Sequence, residues 1–183
     1  MQGIGATRRR YIILSIIAVV SIAVLVLIDQ LFKLYFKTNF NLHEEKPFIE
    51  GFMYFTYYFN EGAAFGMLAG KQLFFKILTV VALVMFIIFM IYVIKNNYIW
   101  AFISMILIIS GTIGNFIDRM LFNGVVDFLR LIFFGWDFAI VNIADIFMTF
   151  GVIMIIIHLL FLDKNALFKK NGKENISDNG KAQ

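Results

Sequence analysis

Between Gly111 and Asp145 the chain carries Asp118, Arg119, Asp127, Arg130, Asp137 and Asp145, set between two long apolar runs. Ionisable groups at membrane depth are expensive; they face the protein interior or water and mark functional sites. On a helix, Gly111, Asn115 and Asp118 share one face, with Arg119 beside it, and Asn142, Asp145 and Thr149 share another. Two polar stripes at the neighbouring ends of helices joined by one loop can converge. Asp127 lies in that connection, flanked by Val125, Val126 and Phe128, which hold it against apolar surface. Two carboxylates brought close in a low dielectric share one proton. Such a dyad takes a proton from water and gives one to a carbonyl oxygen, the chemistry of aspartic proteases. Asp118, Asp127, Asp137 and Asp145 are all candidates. Asp118 beside Arg119 reads as a structural pair, and Asp137 between Trp136 and Phe138 as a plain loop acid. Asp127 and Asp145 are the physical preference, against the alternative that each is a structural acid paired with Arg119 or Arg130.

The elements that position these groups are membrane helices. Of 183 residues, 61% are hydrophobic, well above the half that a soluble domain carries. Tyr11–Ile28 runs 18 residues without a charge and Tyr98–Ile117 runs 20, close to the length a span requires. We expect four spans, at about residues 11–34, 73–94, 98–119 and 139–162, in a single domain over 1–163. The first span continues through Asp29 and Lys33, four apart and so on one helix face. Residues 37–72 form a polar-aromatic connection, in which 48–59 suits strands at an interface and Asn60-Glu61-Gly62 signals a turn. We read this region as a small sheet plus a short helix, over 63–68, lying on the membrane. The loop after the third span extends to about residue 138. The tail from 164 to 183 is polar, basic and expected to be disordered. The fold class is therefore an all-α membrane protein of four transmembrane helices with a small extracytoplasmic β-sheet and a short interfacial helix.

Charge sets orientation. Arg8, Arg9, Arg10, Lys95 and the basic tail fall on one side, which we assign to the cytoplasm together with both termini. Nine of the twelve acids fall on the other side. The basic tail suits water or anionic lipid, not nucleic acid. With no cysteine there is no disulfide and no thiol nucleophile. There is no HExxH for a zinc peptidase, and no lysine has an evident route to Ser104 or Ser110 in the third span. A transporter or proton relay predicts acids near the bilayer midplane, whereas here they cluster at the ends of spans.

Five boxes in order carry a resemblance. Asp29-Gln30-Leu31-Phe32-Lys33 resembles DQxxK; Asn60-Glu61-Gly62-Ala63-Ala64-Phe65 resembles NxGAAF. Gly111 to Arg119 resembles GxxxNxxDR; Val125-Val126-Asp127-Phe128 follows; and Val141-Asn142-Ile143-Ala144-Asp145 resembles FNxAD, with Val for the usual Phe. The chain is similar over nearly its whole length to the lipoprotein signal peptidases (signal peptidase II), bacterial membrane aspartic peptidases. The resemblance implies cleavage of prolipoproteins just before a diacylglyceryl-modified cysteine, at the extracytoplasmic side of a multi-pass cell-membrane protein. It implies that Asp127 and Asp145 are catalytic. It implies that Asp29, Lys33, Asn60, Gly62, Gly111, Asn115, Asp118, Arg119 and Asn142 support the site or contact substrate. No metal or organic cofactor is implied. Partners are the lipidated precursor and membrane lipids, with the chain acting as a monomer. The first and third helices would flank a lipid-facing groove, and residues 60–68 would close over the site.

Overall fold

The computed structural model describes residues 2–62 and 71–162. Its elements are α1 (Gln2–Asn39), β1 (Glu45–Ile49), β2 (Met53–Asn60), α2 (Gln72–Asn96), α3 (Ile99–Phe122), β3 (Val125–Phe133), β4 (Trp136–Val141) and α4 (Ile143–Ile157), which continues as a turn of π-helix over His158–Leu162. Among the described residues, four helices are long and apolar enough to cross a membrane. The expected interfacial helix over 63–68 and the tail over 164–183 lie outside the described residues.

α3 is the helix around which the others pack. Two-thirds of its most apolar window is buried (67%), against 6–17% for the other three helices. Met90, Val93 and Ile94 of α2 meet Ala101, Phe102, Met105, Ile106, Ile108 and Ile109 of α3, with Ala18 of α1 closing the cluster. The outward faces of α1 and α2 expose Ile12, Ile16, Val20, Leu73, Ile77, Met85 and Ile88. In lipid such exposure carries no penalty, so close packing must come from shape, and small residues supply it. A Cβ on Gly151 would sit 2.7 Å from Ile108 Cγ1, and one on Gly114 would sit 2.6 Å from an oxygen of Asp29. α2 and α3 end on Asn97 (φ 67°) and Asn123 (φ 60°), left-handed caps that asparagine tolerates.

The strands form one antiparallel sheet in the order β1-β2-β3-β4. The sequence pattern placed strands only within 48–59; half of the sheet lies instead in 125–141, which was read as loop and the start of the fourth span. Trp136–Val141 is a mostly apolar stretch that leads directly into an apolar helix, and hydrophobicity alone does not separate strand from helix there. The break is set by Asn142, whose extended backbone (φ −126°, ψ −179°) starts α4 through a capping box with Asp145. β3 and β4 are joined by Phe134 and Gly135, both at positive φ (51° and 79°), the two-residue turn that suits a twisted hairpin. α1 and α3 also extend beyond the expected spans, to Asn39 and Phe122.

At Gly111 α3 and α4 approach closely. A Cβ there would lie 2.6 Å from Met148 Cγ and nearer still to the Ala144 carbonyl oxygen, which cannot move without shifting the first turn of α4. Gly111→Ala should destabilise the protein by about 1–3 kcal/mol, read as a fall of several degrees in thermal unfolding in detergent. An unchanged midpoint would contradict this packing.

Candidate active site

The site begins with a buried cation. Lys33, 3% exposed, reaches from α1 to Asp29 Oδ2 (2.8 Å), Asp118 Oδ2 (3.3 Å) and Asn115 Oδ1 (2.9 Å). Three acceptors match the three donors of an ammonium. Asp29 also accepts from the Ala144 amide (2.9 Å), and Asp118 from the Val126 amide (3.0 Å). One charge cluster thus fixes α1, α3, the start of β3 and the start of α4 relative to one another. Asp29 and Lys33 pair as their spacing predicts. Asp118 and Arg119 do not: the ionic partner of Asp118 is Lys33, because adjacent helix residues point about 100° apart.

The cluster orients two amides. With its oxygen held by Lys33, Asn115 turns Nδ2 to Asp145 Oδ1 (2.7 Å). Asn142, fully buried, accepts from the Asp145 amide (3.0 Å) and so turns its own Nδ2 to Asp127 Oδ1 (2.7 Å) and Asn115 Oδ1 (3.1 Å). The Asn142 amide closes the capping box on Asp145 Oδ2 (3.1 Å). From β2, Asn60 accepts from the Gly62 amide (3.0 Å) and donates to Asp127 Oδ2 (3.0 Å). Each oxygen of both carboxylates therefore receives an N–H.

Asp127 stands on β3, outside the helices, opposite Tyr58 of β2. Burial and, after it, the charge of Asp145 push its carboxyl up to about 7, although the Asn60 and Asn142 donors pull the other way. Asp127 and Asp145 line one pocket of about 380 Å³ with Asn60, Gly62, Asn115 and Arg119. Arg119 donates to the Asn115 carbonyl (3.5 Å), lies 5.5 Å from the Phe75 ring and feels the charges of Asp145, Asp127 and Asp118. Arg130 is taken by Glu45 (2.5 Å) and Asp137 (2.6 Å), so Asp137 is an ion-paired strand residue rather than a loop acid. Phe128, next to Asp127 and so on the other face of β3, lines an apolar groove of about 510 Å³ with Phe32, Phe36, Phe40 and Phe55. That groove lies between α1 and the sheet, with no α3 residue in its lining.

A family model described as signal peptidase (SPase) II matches residues 21–161. The chain belongs to the signal peptidase II family. The lipoprotein signal peptidase of Staphylococcus haemolyticus is 41% identical over 153 residues, 84% of this chain and 94% of that protein. One from Streptococcus pyogenes serotype M2 is 43% identical over 141 residues, 77% and 91% of the two chains. A solved bacterial membrane enzyme at 36% identity covers 86% of this chain and 93% of its own, with a TM-score of 0.73; a second covers 79% and 92%, with a TM-score of 0.69. As a signal peptidase II family member with four helices of spanning length, the chain is a multi-pass membrane protease.

Of the residues singled out by sequence, Asp29, Lys33, Asn60, Gly62, Asn115, Asp118, Asp127, Asn142 and Asp145 join one hydrogen-bonded network. Gly111 acts through helix packing, and Arg119 sits at the pocket wall. Gln30 went unassigned, yet its Nε2 donates to Asp118 Oδ1 (3.0 Å), the Gly114 carbonyl (3.1 Å) and Asp29 Oδ2 (3.2 Å). Its position inside the first box was the only signal; spacing from Asp29 and Lys33 gave none.

The raised carboxyl makes stability depend on pH. The folded state holds the Asp127 proton to about 7, while the unfolded chain releases it near 3.8. Unfolding free energy therefore declines as pH climbs between those values, by up to about 1.4 kcal/mol per unit from this group. Asp127→Asn removes that slope. Its stability relative to the parent should rise from pH 4 to 7 and level above; a difference independent of pH would contradict the burial of this carboxyl.

Proposed function

We propose that the chain hydrolyses the signal peptide of prolipoproteins just before a diacylglyceryl-modified cysteine, as an aspartic peptidase that uses Asp127, Asp145 and one water. The observation that carries the reading is the pair of carboxylates in one pocket, Asp127 buried and Asp145 partly exposed, bridged by Asn142 and held by opposed amides. Below about pH 7 Asp127 retains its proton, because burial and Asp145 favour the neutral form. Asp145 accepts a proton from the water as its oxygen attacks the scissile carbonyl carbon. Asp127 gives its proton to the carbonyl oxygen. Collapse of the tetrahedral intermediate breaks the C–N bond: the proton held by Asp145 passes to the leaving amine, and a hydroxyl of the gem-diol returns its proton to Asp127 as the carbonyl re-forms. Neither oxyanion nor free amide anion forms, and general acid–base assistance of this kind is worth about 10²–10⁴-fold.

The surroundings fit a lipidated substrate. The apolar groove behind Phe128 gives an acyl chain a channel one residue from Asp127. The relatives are named for lipoprotein substrates, and we extend that substrate class to this chain. Arg10 of α1 hydrogen-bonds Asn97 in the α2–α3 turn, which puts Arg8–Arg10 and Lys95 at the end of the bundle opposite the sheet. This supports cytoplasmic termini and a site at the extracytoplasmic surface. One chain supplies both carboxylates and all their donors, so a monomer suffices.

Asp127→Asn and Asp145→Asn should each reduce cleavage of a lipidated precursor by at least about 10²-fold, with the purified protein still inserted and folded. kcat/KM of the parent should fall as pH rises through about 7, because the free enzyme then loses the Asp127 proton. Full cleavage by either variant, or no product from lipidated and unlipidated precursors alike, would refute the reading.

A further inference from the structure

The sheet has two outer edges, and their sequences differ in kind. β1 carries Glu45, Lys46 and Pro47, the charges and proline with which proteins block strand addition. β4 reads Ala139-Ile140-Val141 along its inner half, with no charge and no proline. Among the described residues no strand pairs with its outer edge.

The pocket runs from Tyr58 and Asn60 of β2 across Asp127 of β3 to β4, the strand that carries this edge. Successive strand residues point to opposite faces, so a pocket over one face of β4 would be lined by every second residue. Instead Phe138, Ala139, Ile140 and Val141 line it in unbroken succession. A bulge at Phe138 disturbs the alternation there, but Ala139, Ile140 and Val141 pair in regular register with Leu131, Arg130 and Leu129. On β2 (Tyr58, Asn60) and β3 (Val125, Asp127, Arg130) no two neighbours line the pocket, so β4 alone presents consecutive residues, and with them its backbone, to it. The same pocket holds Asp127 and Asp145, and β4 runs into Asn142 and the first turn of α4. A peptide lying on this edge would therefore lead toward the carboxylates.

Resting on the peptidase reading of the site, we propose that the substrate segment following the scissile bond docks as an added strand on the outer edge of β4, along Ala139–Val141. An extended backbone is the ligand that offers what an open strand edge lacks, namely alternating N–H and C=O groups, and it does so whatever its side chains. Direction selects the segment. From Val141 back to Trp136, which is 80% exposed at the hairpin, β4 leads away from the helices. The apolar signal segment stays with the helices, and the mature segment leaves along the strand. Asp137 of β4, on the hairpin side of Ala139, ends the uncharged stretch of this edge.

The test places single N-methyl groups on the backbone amides of a diacylglyceryl-modified peptide, at each of about six positions after the cleaved bond and six before it. Kinetics are read with the parent enzyme in detergent, so enzyme folding is not at issue. Strand addition requires a period of two. Methylation at alternate positions after the bond should lower kcat/KM about tenfold, equivalent to about 1.4 kcal/mol for a lost hydrogen bond, while the positions between change little. Uniform tolerance, uniform loss, or alternation confined to the signal side would overturn the docking mode. The unmethylated peptide separates this from the underlying reading. If the parent enzyme cuts it and Asp127→Asn does not, the peptidase reading stands whatever the methyl scan shows. If the parent enzyme leaves it intact, both fall.

Discussion

The ammonium of Lys33, buried among Asp29, Asp118 and Asn115, is the constraint from which the site's geometry follows. A buried cation is tolerable only when paired and fully hydrogen-bonded, and removing one partner of such a cluster typically costs about 3–5 kcal/mol. The three acceptors come from α1 and α3, and their carboxylates are tied onward to the amides of Ala144 and Val126. The charge therefore specifies an arrangement of four elements. That is its value in a bilayer, where apolar helices have little preference among rotations and sliding offsets.

The ammonium also sets polarity at a distance. A lysine offers only donors, so Asn115 must present its oxygen to Lys33 and its NH₂ to Asp145. Asn142 is fixed by the capping box and so presents its NH₂ to Asp127. Donors converge on two carboxylates that would otherwise repel each other in a medium of low dielectric. The carboxylates arrive by different routes. Asp145 occupies the third position of α4, where the unsatisfied amides of the first turn favour an acid. Asp127 is carried in on a strand, which has Asp127 facing the pocket and Phe128 the apolar groove. A strand separates its faces in one residue; a helix cannot. The sheet is small, yet it lets water chemistry and an apolar surface sit back to back.

Much of this was legible in the sequence because the cost of charge in a membrane concentrates meaning in few residues. Asp29 and Lys33 at helical spacing, and the polar faces of α3 and α4, pointed to the right contacts. The failures have physical causes. The first half of β4 reads as loop and the second half as helix, because an apolar run beside an apolar helix has no distinguishing period and the cap at Asn142 carries no hydrophobic signal. Asp118 was assigned to Arg119 by proximity in sequence, although helix geometry gives it to Lys33. The amides of Asn60 and Asn142 bond Asp127 from 67 and 15 positions away, and donors so far from their carboxylate in sequence leave no local pattern. Gln30 was passed over because a neutral amide in an apolar helix has no preferred partner until the tertiary structure supplies one.

The central claim is that Asp127 and Asp145 act on one proton. The direct measurement is the carboxyl ¹³C shift of Asp127, followed against pH in aspartate-labelled protein in detergent, for the parent and for Asp145→Asn. The account predicts a midpoint at about 7 in the parent, moving down in Asp145→Asn because the neighbouring negative charge is gone. A parent midpoint in the ordinary carboxylate range, or one that Asp145→Asn leaves in place, would contradict it.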